Sequence, residues 1–331
     1  MKKKLIFLFF TYVFFTISLN ASVGLYTYTL DSELRKSKIQ VSVFYPSDEK
    51  EEYILGEHKL FISEKFAFEK KILNSRFPVV LLSHGGLRSS NNQINWLAKY
   101  LASNGYIVLL TKAKNLDTKS VIYEPLFRVN DMNIAYKHLS KQAFFKNHLD
   151  DKNINIVSFL LGATSSLLYV GVTFDFKKYI NQCRSIKKSM DCLWYEKNKI
   201  SFTNFDTSLV KKVIPLANVK KLILFDTELS TLFNKKSLEG LTQNILIINL
   251  ANNISLLDNN KLQNNIKNSK YTKVLNSNVF SSFSLCSKKG KKILKGDKNN
   301  PNLCSNSNNI DKKVIHNKIE KIVWDYLNNG L

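Results

Sequence analysis

Residues 155–166, NIVSFLLGATSS, read as an apolar strand that runs into a tight turn and then a helix. Such a junction can present a nucleophilic side chain at its tip, in the pattern G-x-S-x-G, where small flanking residues let the turn close. Laid on that pattern, the chain gives Ser158-Phe159-Leu160-Leu161-Gly162. The small residues stand where the turn needs them, and the nucleophile's place holds Leu160. A leucine has no lone pair with which to attack a carbonyl carbon.

The elements around this junction alternate. Residues 77–83 (FPVVLLS), 106–110 (YIVLL), 154–159, 219–225 and 245–250 (ILIINL) are nearly continuous apolar runs, as strands buried on both faces require. Between them residues 92–104 space Ile94, Leu97, Ala98 and Leu101 helically and stop at Asn104-Gly105. Residues 131–145 predict a helix through Met132, Ile134, Ala135, Leu139 and Phe144, and residues 312–327 a last one through Val314, Ile315, Ile319, Ile322 and Trp324. Strand-helix alternation with apolar strands predicts an α/β architecture, a mostly parallel sheet of about eight strands flanked by helices. Upstream, Ile39, Val41 and Val43 alternate with polar residues, which suits one or two antiparallel strands at a sheet edge. Residues 171–215 break the alternation and predict a small cap insertion bearing a cysteine pair.

The chain has 331 residues, 44% apolar and 23% charged, enough for one domain with a substantial core. It opens MKKKLIFLFFTYVFFTISLNAS, three lysines before an uncharged apolar run from Leu5 to Leu19, then small residues. That layout predicts a signal peptide over residues 1–21, cleaved after Ala21, with a single domain over 22–331. The competing reading, an uncleaved anchor, has an apolar run short of the ~20 residues that span a bilayer. Export to a periplasm or beyond, without a stable membrane span, is the expectation. In that compartment the local pairs Cys183/Cys192 and Cys286/Cys304 read as two short-loop disulfides. A zinc site is the alternative, but neither pair has C-x-x-C spacing or a nearby histidine, so no metal and no cofactor is expected.

The formal charge is +23, and about +20 remains once the three leading lysines are removed. The lysines are scattered among many asparagines, so no nucleic-acid partner is expected. The densest run, residues 287–298 (SKKGKKILKGDK), lies inside the expected Cys286–Cys304 loop and reads as a solvated basic loop, with a polyanion site as the alternative.

Several blocks carry a family likeness. They are PVVLLSHGG (78–86) with Trp96-Leu97-Ala98 and Leu101-Ala102-Ser103-Asn104-Gly105-Tyr106-Ile107-Val108; Arg128 and Asp131 in RVND; residues 151–162; and Cys286 and Cys304 with the final helix. In this order they resemble the α/β-hydrolase fold, and more closely the secreted dienelactone-hydrolase-like proteins related to platelet-activating-factor acetylhydrolase. The likeness covers roughly residues 38–328. It implies an oxyanion-type loop at His84, Gly85 and Gly86 with Leu161, and a triad of elbow nucleophile, acid after a late strand, and histidine near the C-terminus.

Laid on that family, the three triad positions hold Leu160, Asn253 and Val279. Valine stands where the family's G-H-F-D-F supplies its histidine, and Ala251-Asn252-Asn253 follows the late strand with no carboxylate before Asp258. None of the five histidines, His58, His84, His138, His148 and His316, falls in a strand-to-loop position suited to a triad base, and His316 reads as a surface residue. Among stand-in nucleophiles, Ser165 and Ser166 fall inside the next helix, while Ser83 and Ser158 are the alternatives. The expectation is a catalytically silent hydrolase-fold protein that binds an apolar small molecule, a lipid or a protein partner through Leu160, Leu161, Val279 and Phe280. The alternative is an active carboxylic-ester or lipid hydrolase with an unconventional nucleophile, and a weaker third reading is an enzyme's non-catalytic subunit.

Overall fold

The computed structural model describes residues 21–55, 59–85, 91–113, 120–183, 193, 196–200, 206, 208–209, 218–230, 233–250, 262–295, 303–304 and 310–330. Among these described residues the centre is one ten-stranded sheet. The strands are β1 (Ser22–Ser32), β2 (Ser37–Ser47), β3 (Tyr53–Ile54), β4 (Lys65–Phe68), β5 (Phe77–Ser83), β6 (Ile107–Ala113), β7 (Leu149–Phe159), β8 (Val219–Phe225), β9 (Asn244–Asn249) and β10 (Ser269–Lys273). They lie in the order β10-β9-β8-β7-β5-β6-β2-β1-β4-β3.

The six strands from β10 to β6 are parallel throughout. β2 adds to them antiparallel, Val43 opposite Leu109, and β1 folds back on β2 as a long hairpin. The count exceeds the expected eight because of β3 and β4. These strands, YI and KFAF, are too short for their apolar residues to stand out as a strand pattern, and they join the edge through Gly24 opposite Ala67. β2 and β1 are the antiparallel strands expected on this side of the sheet, and β4 and β3 extend it beyond them.

Successive strand residues point to opposite faces. Val79, Leu81, Ile154 and Ile156 enter one core layer, under α2 (Glu124–Leu139) and α4 (Leu161–Tyr169). Val80, Leu82, Val157 and Phe159 enter the other, under α1 (Asn95–Ser103) and the terminal helix Lys312–Asn329. The helix expected over 131–145 starts earlier, at Glu124-Pro125, where proline suits a first turn, and ends at Leu139. Phe144 sits on a separate turn, α3 (Ala143–Lys146), and is exposed. In the terminal helix Val314 faces solvent, while Ile315, His316, Ile319, Val323 and Tyr326 form the buried stripe.

From β5 the chain crosses to β6 on one side and then returns past it to β7 on the other. The strand order reverses at β5, and open α/β sheets bind ligands outside the carboxyl ends of the strands at such a reversal. Of residues 171–215, the helix α5 (Phe176–Cys183) and a few short pieces belong to the described residues.

Candidate functional site

Leu160 stands alone between the last residue of β7 and the first of α4, with φ 55° and ψ −123°. A side-chain-bearing residue at positive φ costs roughly 1–3 kcal/mol and persists where its surroundings over-determine it. They do so here. The Leu160 amide donates to the Phe225 carbonyl at 2.8 Å, and the Leu160 carbonyl accepts from Ala163 at 3.0 Å. A Cβ on Gly162 would lie 2.6 Å from the Ser83 carbonyl oxygen, so α4 leaves the turn against the end of β5 only because residue 162 is glycine. This is the sharp strand-to-helix turn expected from the sequence, with a leucine at its tip. The Leu160 side chain is 7% exposed and packs in one apolar layer with Val279 and Phe280. Leu161 does not join them. As the first residue of α4 it points into the layer on the opposite face of the sheet.

Ser158 is fully buried in β7, and Ser165 and Ser166 spend their hydroxyls on the carbonyls of Leu161 and Gly162, one helical turn back. Ser83, at the end of β5, lies against Gly162 and is 8% exposed.

The loop after β5 is held from behind. Gly85 adopts φ 90°, a conformation that favours glycine. Arg128 on α2 donates from Nη1 to the carbonyls of His84 (3.0 Å) and Gly85 (2.7 Å). Its Nε reaches Glu124 at 3.3 Å, Glu124 in turn pairs with Arg35 from the β1–β2 hairpin, and Arg35 bonds Asp131 at 2.6 Å. Ser32 donates to the second Asp131 oxygen at 2.7 Å. Arg128 and Asp131, singled out in the sequence, thus belong to one buried chain of charges. The sequence did not disclose Arg35 and Glu124, its other members. Gly86 lies outside the described residues.

His84 is buried between Phe159 and Phe283, its Nε2 3.2 Å from the Ser282 hydroxyl. Because that hydroxyl donates to Val279, the ring donates at Nε2, and Nδ1 has no hydrogen-bond partner among the described residues. Burial, then the charges of Arg128 and Lys312, push its pKa down to about 3, so the ring is neutral.

The segment expected to carry the histidine is a short turn, Val279–Ser282, capped by Asn278. Its carbonyls are claimed. Trp96 donates to Ser282 at 3.0 Å, and His316 Nε2 lies 3.0 Å from the carbonyls of both Ser281 and Phe283. His316 is therefore no surface residue. It lies on the Ile315/Ile319 side of its helix and stacks on Trp96 at 3.7 Å. Burial, and then Lys312, hold its pKa down to about 4. Beside this stack lies a groove of 270 Å³ in which Ile62, Trp96, Tyr100 and Leu285 mix with Glu64, Lys99, Lys313 and Glu320, and Leu160 is not among its lining residues.

One carboxylate went unnoticed in the sequence. Asp226 directly follows β8, the strand beside the elbow, at φ 45° and 1% exposure. Its Oδ1 accepts from the Leu250 amide at 3.0 Å, and Oδ2 has no partner among the described residues. Burial pushes its pKa up to about 7. The signal was present: a lone aspartate closing the apolar run KLILF. Asn253 and Asp258 lie outside the described residues.

The pair Cys286–Cys304 forms a disulfide. Cys192 lies outside the described residues, so its pair with Cys183 is untouched by the structure. Among the described residues no group of three or more His, Cys, Asp or Glu is placed to hold a metal ion.

No protein-family model matches the chain, and no curated protein matches it. Among solved structures it is similar to a ferulic acid esterase from Streptomyces cinnamoneus. The two share 12% identity, with a TM-score of 0.59 over 94% of this chain and 90% of that one. The fold is that of an α/β-hydrolase. At that identity the likeness speaks for the fold and leaves the chemistry to the site.

Proposed function

We propose that this chain is an exported, catalytically silent member of the hydrolase fold that binds an apolar small molecule, a lipid or a partner's apolar side chain at the elbow. By the order of its motifs the chain resembles the dienelactone-hydrolase-like family. The observation that carries the reading is Leu160 at φ 55° and ψ −123° on a fully formed turn. Acyl transfer needs a lone pair at that tip and a base to take its proton. Leu160 offers no lone pair. Val279 offers no base, and the two buried histidines nearby are engaged with Ser282 and with the Ser281 and Phe283 carbonyls. The apolar layer of Leu160, Val279 and Phe280 supports an apolar ligand.

The alternative, an ester or lipid hydrolase with an unconventional nucleophile, draws on Ser83. It lies at the elbow's edge, and Asp226 follows the strand next to β7. Titration of the purified protein with a fluorescent fatty acid, beside a screen of short and long acyl esters, separates the two. Saturable binding that Leu160→Asp weakens, with ester turnover at background, is the expected result. Turnover abolished by Ser83→Ala would transfer the proposal to the alternative.

A further inference from the structure

From residue 288 to 295 the chain reads KKGKKILK, five lysines and no acid in eight residues. The structure makes this run a helix, Lys288–Leu294, rather than the solvated loop expected from composition. Like charges three and four residues apart on one helix repel. Lys288 faces Lys291 and Lys292, Lys289 faces Lys292, and Lys295 follows Lys291 and Lys292 at those spacings. All five side chains are exposed, and among the described residues none pairs with a carboxylate.

The helix is nevertheless held in place. Ser287 caps it by accepting from Gly290 at 2.9 Å, and Ser287 also bonds both Lys59 and Leu60. Gly290 lies so close to Leu60 that a Cβ there would stand 2.0 Å from its carbonyl oxygen. Leu294 packs on the cluster around the Cys286–Cys304 disulfide. The remaining apolar residue, Ile293, is turned outward among the lysines and is 49% exposed. Exposed Lys59 adjoins the patch through its bond to Ser287.

We infer that this helix is a docking surface for an anionic phospholipid bilayer. The lysines would meet the headgroup phosphates and Ile293 would insert at the acyl boundary. Charge selects the class of partner, because a rigid cation cluster gains where fixed negative charge relieves its own repulsion. The outward isoleucine favours a bilayer over a nucleic acid, which has no apolar interior to receive it. The inference is independent of what happens at Leu160.

The test is sedimentation of the purified protein with vesicles of phosphatidylglycerol and phosphatidylcholine, against phosphatidylcholine alone, over rising salt. Binding should require phosphatidylglycerol. Each lysine near an anionic surface is worth about fivefold, so Lys289→Gln, Lys291→Gln and Lys292→Gln together should weaken binding on the order of a hundredfold. The same three changes at Lys137, Lys141 and Lys146, also exposed, remove equal net charge and should weaken it far less. Ile293→Ser should cost roughly tenfold and make the remaining binding more salt-sensitive. Thermal unfolding of each variant confirms that it is folded. Equal losses from the two lysine triples would overturn the docking surface. Duplex DNA binding as tightly as the vesicles, with Ile293→Ser neutral, would show a general polyanion site and overturn the bilayer.

Discussion

Leu160, Gly162 and Asp226 meet where β7, β8 and β5 end; Leu160 holds a positive φ and Asp226 a buried carboxyl, which their types resist, and Gly162 allows a contact that no other residue would. Gly162→Ala should destabilise the fold by about 1–3 kcal/mol, because the added carbon overlaps the Ser83 carbonyl and backbone must shift. Denaturant midpoints measure this, and a neutral result would mean the turn is looser than described. Asp226 makes a pH-dependent prediction. Its carboxyl titrates at about 7 in the fold and near 3.9 in an unfolded chain, so between those values the folded state binds the extra proton. Its contribution to stability is therefore undiminished below about pH 4 and falls as pH rises towards 7. Asp226→Asn keeps an oxygen for the Leu250 amide and removes the titration. Relative to wild type, it should gain roughly 4 kcal/mol between pH 4 and pH 8, most of it below pH 7. A difference independent of pH would refute the shifted carboxyl.

At the scale of elements, the elbow's loops depend on a buried relay running from the β1–β2 hairpin through α2 to the loop after β5. Arg35, Glu124, Asp131 and Arg128 are side chains with little exposure, and removing one leaves another charge uncompensated. Glu124→Ala should cost about 3–5 kcal/mol in a urea titration, more than an exposed ion pair such as Lys38–Asp31 could. This relay also marks where sequence reading stops. The parallel strands were legible because each is an uninterrupted apolar run, and the elbow because Ser158 and Gly162 bracket it. Arg35 and Glu124 lie 89 positions apart, and nothing local marks either as a partner of the other. His316 was misjudged for a related reason. Successive helix positions are about 100° apart, so a residue flanking the apolar stripe joins the core only when a partner waits there, and the stacking partner Trp96 comes from α1, far away in sequence. Asp226 shows in the sequence as an aspartate closing an apolar run, but its place beside the elbow depends on the sheet order that sets β8 next to β7.

For the whole molecule, the Cys286–Cys304 disulfide ties the basic helix and the segment before the terminal helix to the segment that holds Val279. Replacing both cysteines with serine should lower stability by about 3 kcal/mol, the loop-closure value for 18 residues, measured without reductant. No change would mean that packing alone fixes the region. The larger question is what an intact elbow does with a leucine at its tip. The strain at Leu160, the close approach at Gly162 and the clamp on residues 281–283 all hold a turn whose tip carries no nucleophilic side chain. Leu160→Ser alone should stay inert, since Val279 still provides no base. The most direct test is labelling of the purified natural protein with a fluorophosphonate probe, read as stoichiometry by intact-mass spectrometry. The account predicts no adduct above a heat-denatured control. A stoichiometric adduct mapped to Ser83 or Ser158 would contradict it.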